Sequence, residues 1–441
     1  MIILGAGLAG LSAAYHLPGS TIWEQGDRVG GHAKSAASRG FVFDEGIHVL
    51  HTSNQYVLDR LSGSANAHLE QHRREAWIYH HGVLTRYPFQ ANTHGLPVDI
   101  ITECLLGFIE NDRRQGDIET YEDWLYYQYG RGICQRFMIP YSIKFWGVHP
   151  RELTTEWVSV RHPRPSLEEV LTGALTDQTK GFGINAQFRY PREGGFGTIA
   201  RALADAVGRE RIHLGHRVTR LDPERREVGF NAGKLVMSYD AIVSTVPLPE
   251  LIKIIPGAPD SVQRAAGSLR TNSILVVNLG IDRPQLTEKH WIYFPESDYS
   301  FFRISFPMNF APNMVPPGTS SIACEIAYSG GREIDRASVV NRVVADLRRS
   351  NVLSANDTVI FQDVMDIKYA YVLFDTQRKP AVRLIHEYLR ENDVYPCGRY
   401  GEWAYLWSDE AILSGRHAAQ MLRRKLDHVR GQDGDDDAGG R

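Results

Sequence analysis

Gly5, Gly7 and Gly10 close the run Ile-Ile-Leu-Gly-Ala-Gly-Leu-Ala-Gly at residues 2–10, and one acid, Glu24, follows further on. That combination can hold a dinucleotide. Gly5 permits a tight turn out of a strand. Gly7 lets backbone N–H groups reach a pyrophosphate at a helix N-terminus, where the helix dipole favours an anion. Gly10 lets helix and strand pack closely. An acid about 20 residues after the first glycine is placed to accept from ribose hydroxyls. A second glycine pair, Gly30 and Gly31, follows in Glu-Gln-Gly-Asp-Arg-Val-Gly-Gly-His at residues 24–32, where a backbone could pass close to a large ligand.

These residues need elements to position them. Residues 2–4 are apolar and read as a buried strand. Leu11, Ala13, Ala14 and Leu17 give the following segment helical spacing, and residues 20–23 read as a second strand. This is the opening of a Rossmann-like unit. Residues 98–111, 121–129 and 133–143 carry apolar residues at three- and four-residue spacing and predict a helical insertion. Residues 273–280, 290–294, 300–306, 320–328 and 358–367 read as strands and predict a mostly antiparallel sheet. The expected fold class is α/β. A discontinuous dinucleotide domain (1–85, 187–248 and 376–428) carries a helical domain (98–180) and an antiparallel-sheet domain (86–97 and 249–375). Residues 429–441 are polar, with nothing to bury, and are expected to be a disordered tail.

Bulk properties narrow the function. The 441 residues include 49 basic and 52 acidic ones, a formal charge of −3. Nothing in that balance draws the chain to nucleic acid or to an anionic membrane, so any anion site must be a local arginine cluster. Cys104, Cys134, Cys324 and Cys397 show no metal-ligand spacing and read as buried free thiols. No stretch reaches transmembrane length, and the first strand starts at residue 2 without a basic leader. A soluble, cytoplasmic protein is the expectation. His80 and His81 lack an acid or Cys at metal spacing and read as surface residues, so no metal is expected.

The run at 24–32 resembles the second signature of amine-oxidase-like flavoproteins, in which a Gly-Gly pair lies against FAD. Residues 395–401 (Tyr-Pro-Cys-Gly-Arg-Tyr-Gly), with the helical segment 409–423, resemble the late strand–helix unit that returns to the flavin. Val218 lies in a run similar to the strand meeting the adenine, and residues 240–247 resemble the strand closing that sheet. FAD is therefore favoured over NAD.

Five further stretches resemble UDP-galactopyranose mutases, especially the eukaryotic branch. They are residues 87–90 (Tyr-Pro-Phe-Gln), 137–146 (Phe-Met-Ile-Pro-Tyr-Ser-Ile-Lys-Phe-Trp), 183–191, 291–303 and 398–405. The turn Gly-Ile-His-Val-Leu-His at 46–51 is similar to that family's histidine turn at the flavin. The resemblance implies diphosphate-gripping roles for Arg303 and Arg161. It places Tyr293, Tyr371 and Tyr405 around the diphosphate and sugar. It places Tyr87, Gln90, Tyr141 and Trp146 on the nucleoside side, Asn185 on a loop approaching substrate, His48 near the flavin ring, and Arg399 on the cofactor. Such residue types suit the task. Arginine offers a permanently charged fork to a diphosphate, tyrosine adds neutral donors, and Tyr141 or Trp146 offers a face to a base.

The implied reaction is a pyranose–furanose interconversion of a nucleotide-diphosphate sugar, with N5 of the reduced flavin as nucleophile on the anomeric carbon and NADH or NADPH as candidate reductants. A flavin oxidase or desaturase of the amine-oxidase superfamily is the rival reading, because it shares both glycine signatures. Nucleotide, sugar and oligomeric state, homo-oligomer included, stay open. Two departures concern the sugar. Trp407 stands where the bacterial branch has Asp, and Ser408-Asp409 stands where the eukaryotic branch has Ser-Asn. Gly46-Ile47 also replaces the family's more usual Gly-Gly or Gly-Pro before the histidine.

Overall fold

The computed structural model describes residues 1–62, 68–111, 116, 118–158, 162–183, 185–329 and 334–436. The first strand, Ile2–Leu4, is buried on both sides and sits in the middle of a five-stranded parallel sheet. The sheet order is Val394–Pro396, Ile242–Ser244, Ile2–Leu4, Thr21–Trp23, Ile212–His213. All four pairings are parallel, so every connection is a crossover. This is the expected Rossmann-like core.

The helix Leu8–His16 leaves this sheet, and the long C-terminal helix Ser408–Asp436 packs on it. Their contact is close because Gly415 has no side chain: a Cβ there would stand 2.0 Å from the Ala9 carbonyl oxygen. Ser12 Oγ donates to the Ile412 carbonyl at 2.6 Å across the same interface. The final helix extends to Asp436, past residue 429 where the polar tail was expected to begin; residues 437–441 lie outside the described residues. Once its apolar first turns dock, each added residue needs only one more backbone bond, so a helix can run on into polar sequence.

The second large sheet has seven strands, in the order Val359–Ile367, Ser273–Ile281, Ser320–Tyr328, Arg303–Ser305, Trp291–Tyr293, Ala76–His80, Val83–Arg86. All its pairings are antiparallel except Trp291–Tyr293 against Ala76–His80. Strands Ala76–His80 and Val83–Arg86 therefore hydrogen-bond into this sheet, although their position before residue 86 placed them with the dinucleotide piece. A parallel partner more than two hundred residues away is invisible to local pattern. Helix Arg336–Arg349 covers one face through Val339, Val343 and Leu347, packed on Val277, Leu279 and Ile322.

The helical segment contains Val98–Ile109, Tyr121–Ile133 and Ile139–Trp146, with a π-turn at Cys134–Met138. Thr120 caps the second helix in a reciprocal box with Asp123. Gly130 breaks that helix at φ +73°, and Gly132 brings it against Glu103, whose carbonyl a Cβ would approach to 2.2 Å. All four cysteines are buried free thiols. No helix among the described residues is long and apolar enough to cross a membrane.

Candidate functional site: a glycine cradle beside a buried arginine

Two glycine segments meet backbone to backbone. Gly5 takes φ +99°, and a Cβ on it would reach 2.1 Å from Thr245 Oγ1. A Cβ on Gly10 would sit 2.0 Å from the Gly5 carbonyl. Gly7 forms a parallel bridge with Gly30, and the Gly30 N–H donates to Ala6 O at 2.9 Å. Gly31, at φ +55°, would press a Cβ to 3.3 Å from Gly7 Cα. Gly7 caps helix Leu8–His16 with no side-chain hydrogen bond, which leaves the helix N-terminus to an outside anion. Glu24 closes the floor. Its carboxylate accepts from Ala6 N at 2.8 Å and Gly26 N at 2.7 Å. The His216 N–H donates to the Glu24 carbonyl at 2.7 Å, which brings the strand Val218–Asp222 alongside. The fingerprint glycines, Gly30, Gly31, Glu24 and Val218 thus converge, and the space that side chains would fill fits a dinucleotide.

From the cradle a polar chain leads into the protein. His32 Nδ1 lies 3.1 Å from Glu45 Oε1, and Lys34 Nζ lies 3.2 Å from Glu45 Oε2. Burial works against the Glu45 charge, but His32 and Lys34 bring its pKa down to about 2. The next residues are Gly46 and Ile47, and the Ile47 N–H donates to Glu325 Oε1 at 3.3 Å. Glu325 in turn grips Arg303 through Nε and, at 3.0 Å, through Nη2. Burial disfavours the Arg303 charge, and Glu325 more than offsets it, so a permanently charged guanidinium sits in the interior. Its side chain is only 14% exposed.

Rings border this cation: Tyr293 stands opposite it across the strand pair, and Tyr141 and Tyr371 interact with its charge. Centroids run unbroken from Tyr87 to Tyr293 (5.3 Å), Tyr141 (5.3 Å), Phe145 (6.0 Å), Tyr371 (4.4 Å) and Tyr405 (5.6 Å). Burial pushes the Tyr87, Tyr141 and Tyr371 phenols well up, so they are neutral donors at physiological pH. Arg399 lies over Tyr371 and Tyr405 at 5.6 and 5.5 Å, and its guanidinium donates to Leu406 O at 2.6 and 3.0 Å. His48 is pulled down to about 4 by burial and by Arg399, and is neutral; its Nδ1 faces Gly46 O at 3.3 Å.

The predicted substrate-side residues other than Asn185 fall into four groups. Arg303, Tyr87, Tyr141, Tyr293, Tyr371, Tyr405, Arg399 and His48 form the constellation just described. Trp146 and Gln90 are more buried than a face offered to a base requires, each 2% exposed. Trp146 is packed by Trp157 at 4.7 Å and by Tyr371 and Tyr405, and Gln90 Nε2 donates to Pro163 O at 3.0 Å. Arg161 lies outside the described residues. Trp407 stands 5.3 Å from the His51 ring, with its N–H on Glu410 at 2.6 Å. Asp409 opens the C-terminal helix with Oδ1 buried and unpartnered.

Two site residues escaped the sequence. Glu325 is one; a single acid inside an otherwise apolar strand was its only signal. The other is Arg74, whose guanidinium lies 4.5 Å from the Tyr87 ring centroid with Nη1 buried and unpartnered. Asn185 Oδ1, near the same phenol, is likewise buried and unpartnered. Unpaired buried polar atoms are costly, so a cluster of them marks a place for a polar ligand.

The family model for flavin-containing amine oxidoreductases matches residues 8–422. The chain belongs to that family. That membership implies a flavin cofactor, and the glycine cradle is the candidate place for it. A crystal structure of reduced UDP-galactopyranose mutase is similar over 98% of this chain and 95% of that one, with 28% identity and a TM-score of 0.90. Cyclohexylamine oxidase from Brevibacterium oxydans IH-35A is 16% identical over 97% and 99% of the two chains, with a TM-score of 0.66. A CLA-producing fatty acid isomerase from P. acnes is 14% identical over 96% and 97%, with a TM-score of 0.66. The last two likenesses concern the fold alone. An oxidase and an isomerase share it, so the reaction must be argued from the site.

Proposed function

We propose that this chain is an FAD-dependent mutase that interconverts the pyranose and furanose forms of a nucleotide-diphosphate sugar. The observation that carries the reading is the buried Arg303–Glu325 pair within the tyrosine ring run. An amine oxidase has no use for a permanent cation where a cationic or neutral amine must sit. A diphosphate does. The near full-length likeness to reduced UDP-galactopyranose mutase supports the same reading.

When bound and reduced, the flavin supplies a nucleophilic nitrogen for the anomeric carbon. The protein's own residues do the rest. Arg303, fixed by Glu325, would neutralise the departing diphosphate and hold it for return, and Arg161 would join it. Tyr293, Tyr371 and Tyr405 would donate hydrogen bonds without adding charge. Arg74 and Asn185 would gain the partners they lack. Tyr87 and Tyr141 would border the nucleoside; Trp146 would support Tyr371 and Tyr405 from behind, and Gln90 would hold the Pro163 carbonyl. Neutral His48 would act as a hydrogen-bonding group, with Arg399 fixing the Leu406 carbonyl next to it. Trp407 and Asp409 would shape the sugar end. NADH or NADPH would serve as reductant.

Dithionite-reduced protein, incubated with a panel of nucleotide sugars and quenched with a hydride donor, tests the reading. A flavin–sugar adduct and furanose product are expected with only catalytic reductant. Stoichiometric peroxide release on an amine, with no adduct from any sugar, would establish the oxidase reading instead.

A further inference from the structure

His80, His81 and Glu296 each present a ligand atom, and the three atoms lie within 4.8 Å of one another. His80 ends strand Ala76–His80, His81 begins the turn into Val83–Arg86, and Glu296 follows strand Trp291–Tyr293. The parallel pairing of those two strands, Tyr293 against Ile78, delivers an acid 215 residues away to a histidine pair. His80 is not the surface residue its sequence context indicates: it is 2% exposed.

The proton on His80 is fixed by its surroundings. Nε2 lies 2.9 Å from the Arg136 carbonyl, which can only accept, so Nε2 carries the hydrogen. Nδ1 therefore presents a lone pair, and it is buried with no partner. A histidine whose second nitrogen donates to a carbonyl keeps the lone pair of the first available to a metal. The His81 ring lies 4.6 Å from the His80 ring, and the His81 N–H donates to Glu296 Oε1 at 3.1 Å, which ties the carboxylate to the turn.

We propose that His80, His81 and Glu296 form a binding site for a divalent transition ion, Zn2+ foremost, with water as fourth ligand. Two imidazoles and one carboxylate suit zinc better than calcium or magnesium, which take oxygen donors. Bonds of about 2.0–2.1 Å put tetrahedral ligand atoms about 3.3 Å apart, so the set must close by up to about 1.5 Å. His81 is the exposed member of the set and would supply that movement. The neighbouring cation is Lys144, whose Nζ holds the Glu296 carbonyl at 2.7 Å with Asp298 and Asp346 also near it. The Arg136 guanidinium is paired with Glu103. Among the described residues, no hydrogen bond or ring contact joins these three side chains directly to Arg303 or the glycine cradle; the rings of Phe89 and Phe137 stand between His80 and Tyr141. The ion would pin the hairpin turn to the strand beside it, apart from the flavin chemistry.

Chelator-treated, tag-free holoprotein titrated with Co2+ tests this. One saturating equivalent with the visible ligand-field bands of a tetrahedral nitrogen–oxygen site is expected, displaced by Zn2+. His81→Asn suits the left-handed backbone at this position, φ +50°. His81→Asn and Glu296→Gln should each weaken binding by at least about tenfold, with flavin content unchanged, since even groups that only orient ligands contribute about 10–100-fold. No stoichiometric Co2+ binding, or binding unchanged in both variants, would overturn the site. Should one variant fold poorly, the other decides.

Discussion

Arg303 and Glu325 stand directly opposite each other on antiparallel strands and form a two-point ion pair, with side chains 14% and 3% exposed. One edge of the guanidinium, Nε and Nη2, is held by the acid, so the cation is aimed before any ligand arrives. Removing one partner leaves a buried charge alone, which costs about 3–5 kcal/mol. Replacing both with apolar groups of similar size is commonly neutral. Arg303→Met should therefore lower the denaturant midpoint sharply, and Arg303→Met with Glu325→Leu should recover most of it. Turnover separates the roles. Under the mutase reading the double variant stays folded yet loses at least about 100-fold in kcat/KM for a nucleotide sugar, the scale of a lost transition-state donor. A refolded double variant with near-normal turnover would exclude Arg303 from the chemistry.

The cradle makes its own prediction. Gly10→Ala puts a methyl group 2.0 Å from the Gly5 carbonyl, and neither backbone segment can yield without opening the pyrophosphate seat. Flavin content of the purified protein, read as flavin absorbance per chain, should fall severely. Gly19→Ala is the control. Gly19 has φ +82° with nothing within 4 Å, so it carries left-handed strain of about 1–2 kcal/mol and should retain flavin. Equal flavin loss in both would mean that general destabilisation, not the cradle, governs binding.

Local pattern was enough for the glycine unit because its residues lie within one strand, one turn and one helix. The strand Ser320–Tyr328 was also readable, since Glu325 alone interrupts its apolar residues from Ile322 onward. Pairings across the sheet were not. Glu325 meets Arg303 only through antiparallel register, and Glu296 reaches His80 only through a parallel pairing of distant strands. Trp146 was readable as an aromatic of the site region, but its burial behind Tyr371 and Tyr405 depends on a helix end meeting three separate non-helical segments, those of Trp157, Tyr371 and Tyr405. Motif resemblance could name residue types; it could not say which side chains are already engaged within the protein.

Trp407 bears on sugar choice. Its backbone is fixed on both sides, by Arg399 and Glu410 on the Leu406–Trp407 peptide and by the Ala411 N–H on its own carbonyl, so a substitution changes the side chain and not the loop. Trp407→Asp removes a ring 5.3 Å from His51 and adds an acceptor. The ratio of kcat/KM between UDP-galactopyranose and other nucleotide sugars should move by at least about tenfold, equivalent to about 1.4 kcal/mol. An unchanged ratio would remove Trp407 from the sugar end.

Asp44 predicts how stability depends on pH. It is 7% exposed, and its carboxyl accepts from Ser35 Oγ and Tyr190 OH at 2.6 Å each and from Phe196 N at 3.0 Å. Burial nonetheless dominates and raises its pKa to about 6 from 3.8. The folded state thus binds a proton that the unfolded chain has released. This stabilisation is fully present below about pH 4 and is lost as pH rises through about 6. A shift of this size corresponds to at most about 3 kcal/mol. Asp44→Asn mimics the protonated acid: its oxygen can accept from Ser35 and Phe196, and its amide can donate to the Tyr190 hydroxyl. Comparing denaturant midpoints of both proteins between pH 4 and 7 isolates the Asp44 contribution from that of other carboxylates. The stability difference should move in favour of Asn as pH rises through 6, and a difference that stays flat would mean that Asp44 is ionised throughout and that its three donors outweigh burial.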